Sequence, residues 1–139
     1  MTKEMHTPRH QGSCLCNTVR YEVSGELGEL ICCHCQRCRK ATGSAFIAVA
    51  PVPKANFRIT HGEAALKTYR SEAGVCRVFC GQCGSPIMAY RESAPEILRL
   101  RVGSLDTPLP TQVSAHIFVG SKAEWHEIHD EAPQYTERP

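Results

Sequence analysis

The chain has 139 residues, of which 42% are hydrophobic and 22% are charged, and its formal net charge is +2. This length suits one domain with a buried core, and this composition excludes an intrinsically disordered chain, which would carry fewer apolar residues and more net charge. The small net charge also lacks the concentrated basic charge with which proteins hold nucleic acid phosphates, so we expect no nucleic acid partner.

The two ends of the sequence are polar. Residues 1–11 lead into no apolar run, which predicts a flexible leader without a secretory signal. Residues 131–139 contain two prolines and three charged residues and predict a loosely held tail. Since no apolar stretch reaches the ~18 residues of a membrane span, we expect no membrane segment and a cytoplasmic location. Residues 12–130 then form the predicted domain.

Most of this domain predicts short β-strands. The clearest segments alternate apolar with polar residues and end in glycine, which is typical of half-buried strands. The predicted strands cover residues 19–25, 46–50, 55–62, 65–69, 75–79, 87–90, 97–102 and 115–118. One short helix is predicted over residues 35–43, ending at Gly43. The sequence therefore predicts a mostly β fold with one short helix.

The nine cysteines are the chemically informative residues. In a reducing compartment, closely spaced thiols are more often metal ligands or redox groups than structural disulfides. The odd number also argues against a fully paired disulfide framework. The cysteines are therefore best interpreted as metal ligands.

Two pairs of cysteines, far apart in the sequence, predict one structural zinc site. Each pair stands beside glycines, which allow a tight turn, and four thiolates in a tetrahedron are what structural zinc requires. A redox pair or free thiols are the alternative, but no βαβ pattern surrounds the second pair. The predicted ligands are Cys14, Cys16, Cys80 and Cys83.

A second cluster combines the same Cys-X-Cys and Cys-X-X-Cys spacings in one segment. Cys33, Cys35 and Cys38 would supply three thiolates to a second zinc and leave its fourth position undecided. Water or substrate in that position makes the ion catalytic, whereas a fourth protein ligand makes it structural. The candidates for such a ligand are Cys32, His34 and Cys76. Strand alternation points Cys32 and His34 away from the cluster, which leaves Cys76 as the stronger rival.

Three basic residues lie in the predicted helix beside this cluster. Arg37, Arg39 and Lys40 could offset the negative charge of three thiolates and bind an anionic substrate. An ordinary solvated helix face is the alternative interpretation.

The chain resembles the family of glutathione-dependent formaldehyde-activating enzymes and their relatives, including the centromere protein V type domain. The resemblance covers nearly all of residues 12–125. The segments that carry it are Gly12-Ser13-Cys14-Leu15-Cys16, Val19-Arg20-Tyr21, Cys33-His34-Cys35-Gln36-Arg37-Cys38 with its continuation through Phe46, Tyr69-Arg70-Ser71, Phe79-Cys80-Gly81-Gln82-Cys83-Gly84-Ser85-Pro86, His116-Ile117 and Trp125.

The resemblance implies a zinc-bound β fold of the Mss4-like type. It also implies a structural zinc on Cys14, Cys16, Cys80 and Cys83 and a second zinc on Cys33, Cys35 and Cys38, giving two zinc ions per chain, of which the second is the candidate catalytic ion. In the family's namesake enzymes, glutathione and formaldehyde combine at the second zinc to S-hydroxymethylglutathione, formally a carbon–sulfur lyase reaction. A small thiol such as glutathione is therefore the expected partner. Their charge and position, rather than the resemblance, make Arg37, Arg39 and Lys40 the hypothesised anchors of its carboxylates.

Four further residues have an open role. His116 could carry a proton, or it could be a strand histidine that only forms hydrogen bonds. Ser44 and Phe46 could line a pocket or begin a strand, and Trp125 is expected in the core or as a cap. A non-enzymatic, zinc-stabilised binding module remains the alternative function. The sequence does not indicate the oligomeric state.

Overall fold

The computed structural model describes residues 9–139. Most of the leader predicted over residues 1–11 therefore lies outside the described residues. His10 and Gln11, however, begin the first strand and pair with Val23 and Glu22. The predicted leader therefore extended too far, because two of its polar residues form backbone pairs that their side chains do not reveal.

Ten strands and one α-helix make up the regular structure of the described residues. The strands are β1 (His10–Ser13), β2 (Arg20–Val23), β3 (Ile31–Cys33), β4 (Ile47–Pro53), β5 (Phe57–His61), β6 (Leu66–Arg70), β7 (Val75–Cys80), β8 (Pro86–Arg91), β9 (Ala94–Arg101) and β10 (Ala115–Ile117), and the helix is α1 (Gln36–Thr42). Short 3-10 turns occur at Lys54–Asn56, Glu63–Ala65, Val102–Ser104 and Val119–Ser121. The prediction of a mostly β fold with one short helix is confirmed.

Contacts divide the chain into two compact units. The first unit contains the described residues up to Gly28 together with Pro51–Leu109, and the second contains Glu29–Ala50 and Pro110–Pro139. The single domain predicted over residues 12–130 stays a prediction.

The first unit holds two antiparallel groups of strands. β1, β2 and β5 pair in that order, and β6, β7, β8 and β9 form a meander of successive neighbours. The alternation of β2 explains its packing, because Tyr21 and Val23 are buried while Arg20 is exposed. These two side chains join a core cluster that also contains Cys14 and Cys80. The core of this unit therefore fixes two of the predicted zinc ligands.

The second unit is built on three paired strands. β10 runs parallel to β3, and β3 runs antiparallel to β4. Cys33 is in register with Ile47 and Ile117, whereas the neighbouring Cys32 is in register with His116. Because successive side chains of a strand point to opposite faces, Cys33 and Cys32 lie on opposite faces of this sheet.

The C-terminal segment is attached to β10 rather than loosely held. The backbone N–H of His116 donates to Pro133 O at 2.9 Å, and the N–H of Tyr135 donates to His116 O at 2.9 Å. Phe118 N–H likewise donates to Glu137 O at 2.9 Å. The predicted loose tail is therefore wrong, because the segment satisfies backbone groups that β3 leaves unpaired along β10.

None of the helices in residues 9–139 has the length and apolar composition needed to cross a bilayer.

Candidate metal centres

The first cluster of cysteines forms between two turns of the first unit. Cys14 follows β1, Cys80 ends β7, and the sulfur atoms of Cys14, Cys16, Cys80 and Cys83 all lie within 4.8 Å of one another. Two of these separations are 3.7 Å, between Cys14 and Cys16, and 3.9 Å, between Cys16 and Cys80. Four sulfur atoms this close fit the tetrahedral donor set of a structural zinc ion.

Glycines shape the backbone around this cluster. A Cβ on Gly12 would lie only 2.2 Å from the Tyr21 ring, so β1 can cross that buried side chain only with glycine at this position. Gly84 has φ +82°, which side chains disfavour, and its N–H donates to Cys80 O at 2.8 Å. Both glycines therefore help to bring the two cysteine pairs together.

Three of the four sulfur atoms in the first cluster have polar contacts with neighbouring groups. The backbone N–H of Val19 donates to Cys14 Sγ at 3.2 Å, and that of Gln82 donates to Cys80 Sγ at 3.4 Å. The Ser85 hydroxyl lies 3.2 Å from Cys83 Sγ, and this contact is the largest cause that lowers the pKa of Cys83 to about 5. Because zinc binds thiolates rather than thiols, these contacts favour metal binding.

Ser85→Ala is expected to weaken zinc binding at the first cluster by about 10- to 100-fold, the usual effect of removing a group that orients a metal ligand. The variant loses the contact that lowers the Cys83 pKa, so protons would compete with zinc at higher pH. Zinc release during acid titration should therefore begin at a higher pH than in the native chain. An unchanged release profile would show that Ser85 does not support the site.

The second cluster lies at the junction between β3 and α1 in the second unit. Cys33 ends β3, Cys35 is the N-cap of α1, and its Sγ accepts the backbone N–H of Cys38 at 3.3 Å. The three sulfur atoms lie within 4.8 Å of one another. The contact of Cys33 with the Cys38 side chain, followed by the burial of Cys33, holds the pKa of Cys33 well above its ordinary value. A bound cation is what would allow three such neighbouring thiolates to coexist.

The three candidates for a fourth ligand at the second cluster contact groups outside that cluster. Cys32 is buried in register with His116, and burial raises its pKa to about 11. His34 bonds to His116 at 2.8 Å, and Cys76 belongs to the first unit, where its Sγ lies 4.0 Å from Glu92. Among the described residues, none of the three joins the group of close ligand atoms.

The basic residues of α1 differ in their placement. Arg39 is half-buried and follows Cys35 by four positions, so it lies on the side of the helix that carries Cys35. Its Nε is buried and has no hydrogen-bond partner among the described residues. Arg37 and Lys40 are exposed and point from other sides of the helix.

A group of rings lies on the reverse face of the second unit's sheet. His34 and His116 are buried, and the His34 ring packs 5.2 Å from the Phe46 ring. Burial, followed by the proximity of His116, lowers the pKa of His34 to about 4, so its ring is neutral at neutral pH. His116 Nε2 also lies 2.9 Å from Asp130 Oδ2.

Sequence reasoning missed Asp130 and misplaced Trp125. No spacing rule links Asp130 to the histidines, and it reaches His116 only because the C-terminal segment returns to β10. Trp125 was expected in the core or as a cap, but 72% of its surface is exposed. The Ser44 hydroxyl donates to Phe46 O at 2.8 Å and so stabilises the turn before β4.

Comparison with known proteins identifies similar chains. The model of a family described as glutathione-dependent formaldehyde-activating enzyme matches residues 9–121. An uncharacterized lyase of Schizosaccharomyces pombe is 32% identical over 80 residues, covering 58% of this chain and 56% of that protein. A protein of Aspergillus flavus, provisionally named a glutathione-dependent formaldehyde-activating enzyme, is 26% identical over 116 residues, covering 82% of this chain and 54% of that protein. The chain thus spans about half the length of these curated relatives.

A solved structure supports the fold. The crystal structure of a Rhodobacter sphaeroides protein aligns with a TM-score of 0.62 at 24% sequence identity, covering 89% of this chain and 98% of that one. This likeness agrees with the expected Mss4-like type of fold.

Proposed function

Because the chain belongs to the family of glutathione-dependent formaldehyde-activating enzymes, we propose that it is a zinc-dependent carbon–sulfur lyase that joins a small thiol to an aldehyde. Glutathione and formaldehyde are the proposed substrates, and S-hydroxymethylglutathione is the product. One zinc would stabilise the fold at Cys14, Cys16, Cys80 and Cys83. The other would take part in the reaction. The proposed location of the enzyme is the cytoplasm.

The observation that carries this proposal is the three-sulfur geometry of the second cluster. Cys33, Cys35 and Cys38 converge, and no fourth ligand atom from the described residues joins them. Three protein ligands and an open position are the usual arrangement of a catalytic zinc, whereas four ligands close a structural site. When bound there, zinc would supply Lewis-acid chemistry, stabilising a substrate thiolate or polarising the aldehyde oxygen.

The reaction itself requires little from the protein beyond orientation. The thiol sulfur of glutathione adds to the carbonyl carbon of formaldehyde, a carbon–sulfur bond forms, and the thiol proton ends on the former carbonyl oxygen. Holding both substrates in one orientation removes much of the entropic cost of their meeting. The residues around Cys33, Cys35 and Cys38 would therefore act mainly by binding and orienting the thiol substrate.

Arg39 is the strongest of the three proposed carboxylate anchors. It lies on the side of the helix that carries Cys35, and its buried Nε lacks a partner in the part of the chain that the structure describes. A guanidinium with a free donor suits a substrate carboxylate, because two parallel N–H donors match two carboxylate oxygens. Arg37 and Lys40, being more exposed, would contribute mainly long-range attraction.

Arg39→Ala is expected to raise the KM for glutathione by about 10- to 100-fold, since a hydrogen bond to a charged group contributes ~1.5–3 kcal/mol. Steady-state kinetics at saturating formaldehyde would measure this change. Lys40→Ala removes an exposed positive charge from the same helix and serves as the control, with a change below about threefold expected. Equal KM values for the two variants would show that Arg39 does not bind the glutathione carboxylate.

The experiment that tests the function is a comparison of adduct formation with and without metal. The rate of S-hydroxymethylglutathione formation above the uncatalysed background should be high in the zinc-loaded chain and lost after mild chelation that leaves the fold intact. Returning zinc should restore it. A zinc-loaded, folded chain that never exceeds the background rate would contradict the proposed activity.

A further inference from the structure

A hydrogen-bonded chain crosses the interior of the second unit from its surface. Asp130, whose side chain is 45% exposed, contacts His116 Nε2 with Oδ1 at 3.1 Å and Oδ2 at 2.9 Å. His116 Nδ1 in turn lies 2.8 Å from His34 Nε2. Asp130 is itself held, because its Oδ1 accepts the backbone N–H of Ala132 at 3.0 Å. The chain thus connects a fixed surface carboxylate to a buried ring.

The chemistry of the three groups determines which atom donates in each hydrogen bond. The Asp130 carboxylate can only accept, so His116 donates from Nε2. When His116 is neutral, its one proton lies on Nε2 and its Nδ1 accepts, so the donor in the next bond is His34 Nε2. His34 Nδ1 is then a bare lone pair, and it is buried without a partner among the described residues.

The environment of His34 does not explain why a histidine stands there. Its ring packs against the rings of Phe46 at 5.2 Å and His126 at 6.0 Å, and the residue is 0% exposed. An apolar ring could fill this space without leaving a buried acceptor unpaired, which costs about 1–3 kcal/mol. The hydrogen bond to His116 is the contact that an apolar ring would lack.

His34 occupies the turn between two of the proposed zinc ligands. It follows Cys33 at the end of β3 and precedes Cys35, the N-cap of α1. Its backbone N–H donates to Ile117 O at 3.0 Å, while its ring bonds to His116 on the face opposite the cysteine cluster. The turn that sets the spacing of the two sulfur atoms is therefore fixed from the reverse side.

We propose that His116 and Asp130 are positioning residues for the second metal centre, acting through the ring of His34 to hold Cys33 and Cys35 at the spacing that a metal ion requires. This inference rests on the metal site of the proposed function, but not on its substrates. Groups that orient metal ligands typically change metal affinity by about 10- to 100-fold when they are removed.

The test is chelator competition on the zinc-loaded chain, with zinc release from the two clusters followed as separate phases. The Cys35→Ser variant identifies the phase of the second cluster by its absence. His116→Phe keeps a ring of similar size and removes both nitrogens, and we expect the second cluster to bind zinc about 10- to 100-fold more weakly while the first is unchanged. Asp130→Ala should shift the second phase in the same direction by a smaller factor, because water can reach the exposed end of the chain.

The first cluster and Glu131→Ala provide the controls. Glu131 is an exposed acid adjacent to Asp130, and its removal should leave both phases unchanged. NMR of the ring nitrogens should show a protected proton on His34 Nε2 in the native chain, which His116→Phe loses. A purely structural role would weaken both clusters together and would overturn the proposal, as would unchanged second-phase affinity in Asp130→Ala.

Turnover plays no part in this measurement. A chain that shows the expected affinity changes but has no lyase activity would contradict the proposed reaction and leave the positioning role intact. A second cluster that binds no zinc in the native chain would overturn both.

Discussion

Cys80→Ser is expected to prevent stable folding of the first unit. Cys80 is 0% exposed and belongs to the same core cluster as Tyr21 and Leu100. Zinc binding in small metal domains contributes roughly 10–16 kcal/mol to folding, which is as large as the net stability of a typical domain, about 5–15 kcal/mol. Losing one of four thiolates should therefore remove the cooperative thermal transition seen by circular dichroism.

Cys76→Ser is the matched control for this variant. Cys76 lies in the same strand, β7, and is 4% exposed, but it is outside the first cluster. We expect a folded chain with full zinc content and a cost of about 1–3 kcal/mol for the buried hydroxyl. A cooperative transition of native height in Cys80→Ser would show that the first cluster does not stabilise the fold through metal.

Cys35→Ser is expected to abolish catalysis while preserving the fold. Serine is a preferred N-cap residue, so its hydroxyl can accept the Cys38 N–H in place of the cysteine sulfur and keep α1 intact. The second zinc, however, loses one of three thiolate ligands. Because a catalytic metal supplies several kcal/mol of transition-state stabilisation, the rate of adduct formation should fall by about a hundredfold or more.

Cys32→Ser is the control for the activity measurement. This neighbouring thiol is buried on the opposite face of the sheet, in register with His116. Its turnover should stay within a few-fold of the native value, since it is not a ligand. Retained turnover in Cys35→Ser, measured on a folded sample, would show that the second cluster does not take part in the reaction.

Local sequence signals predicted the parts of the fold that depend on local structure. The helix prediction over residues 35–43 matches α1, because Gly43, which the sequence marked as the helix end, adopts a left-handed conformation as the C-cap. The alternating pattern likewise located β2, whose buried side chains Tyr21 and Val23 stand two positions apart, and β5, whose side chains are half-buried or exposed. The paired spacings of cysteines also anticipated both groups of converging sulfur atoms.

Long-range pairing accounts for what the sequence did not reveal. β3 is only three residues long and lies among cysteines, and it is ordered by parallel pairing with β10 far along the chain. Asp130 reaches His116 only because the following segment hydrogen-bonds to β10. No local periodicity encodes such contacts, so the strand and the hydrogen-bonded chain required the structure.

The most direct test of the account is the zinc content per chain, measured by elemental analysis, of the native protein and of Cys35→Ser, with adduct formation from glutathione and formaldehyde assayed on the same samples. The account predicts two zinc ions and turnover in the native chain, and one zinc ion without turnover in the variant. Two zinc ions with no turnover in the native chain would contradict the enzyme and favour a zinc-stabilised binding module, and a single zinc ion in the native chain would contradict the second metal centre itself.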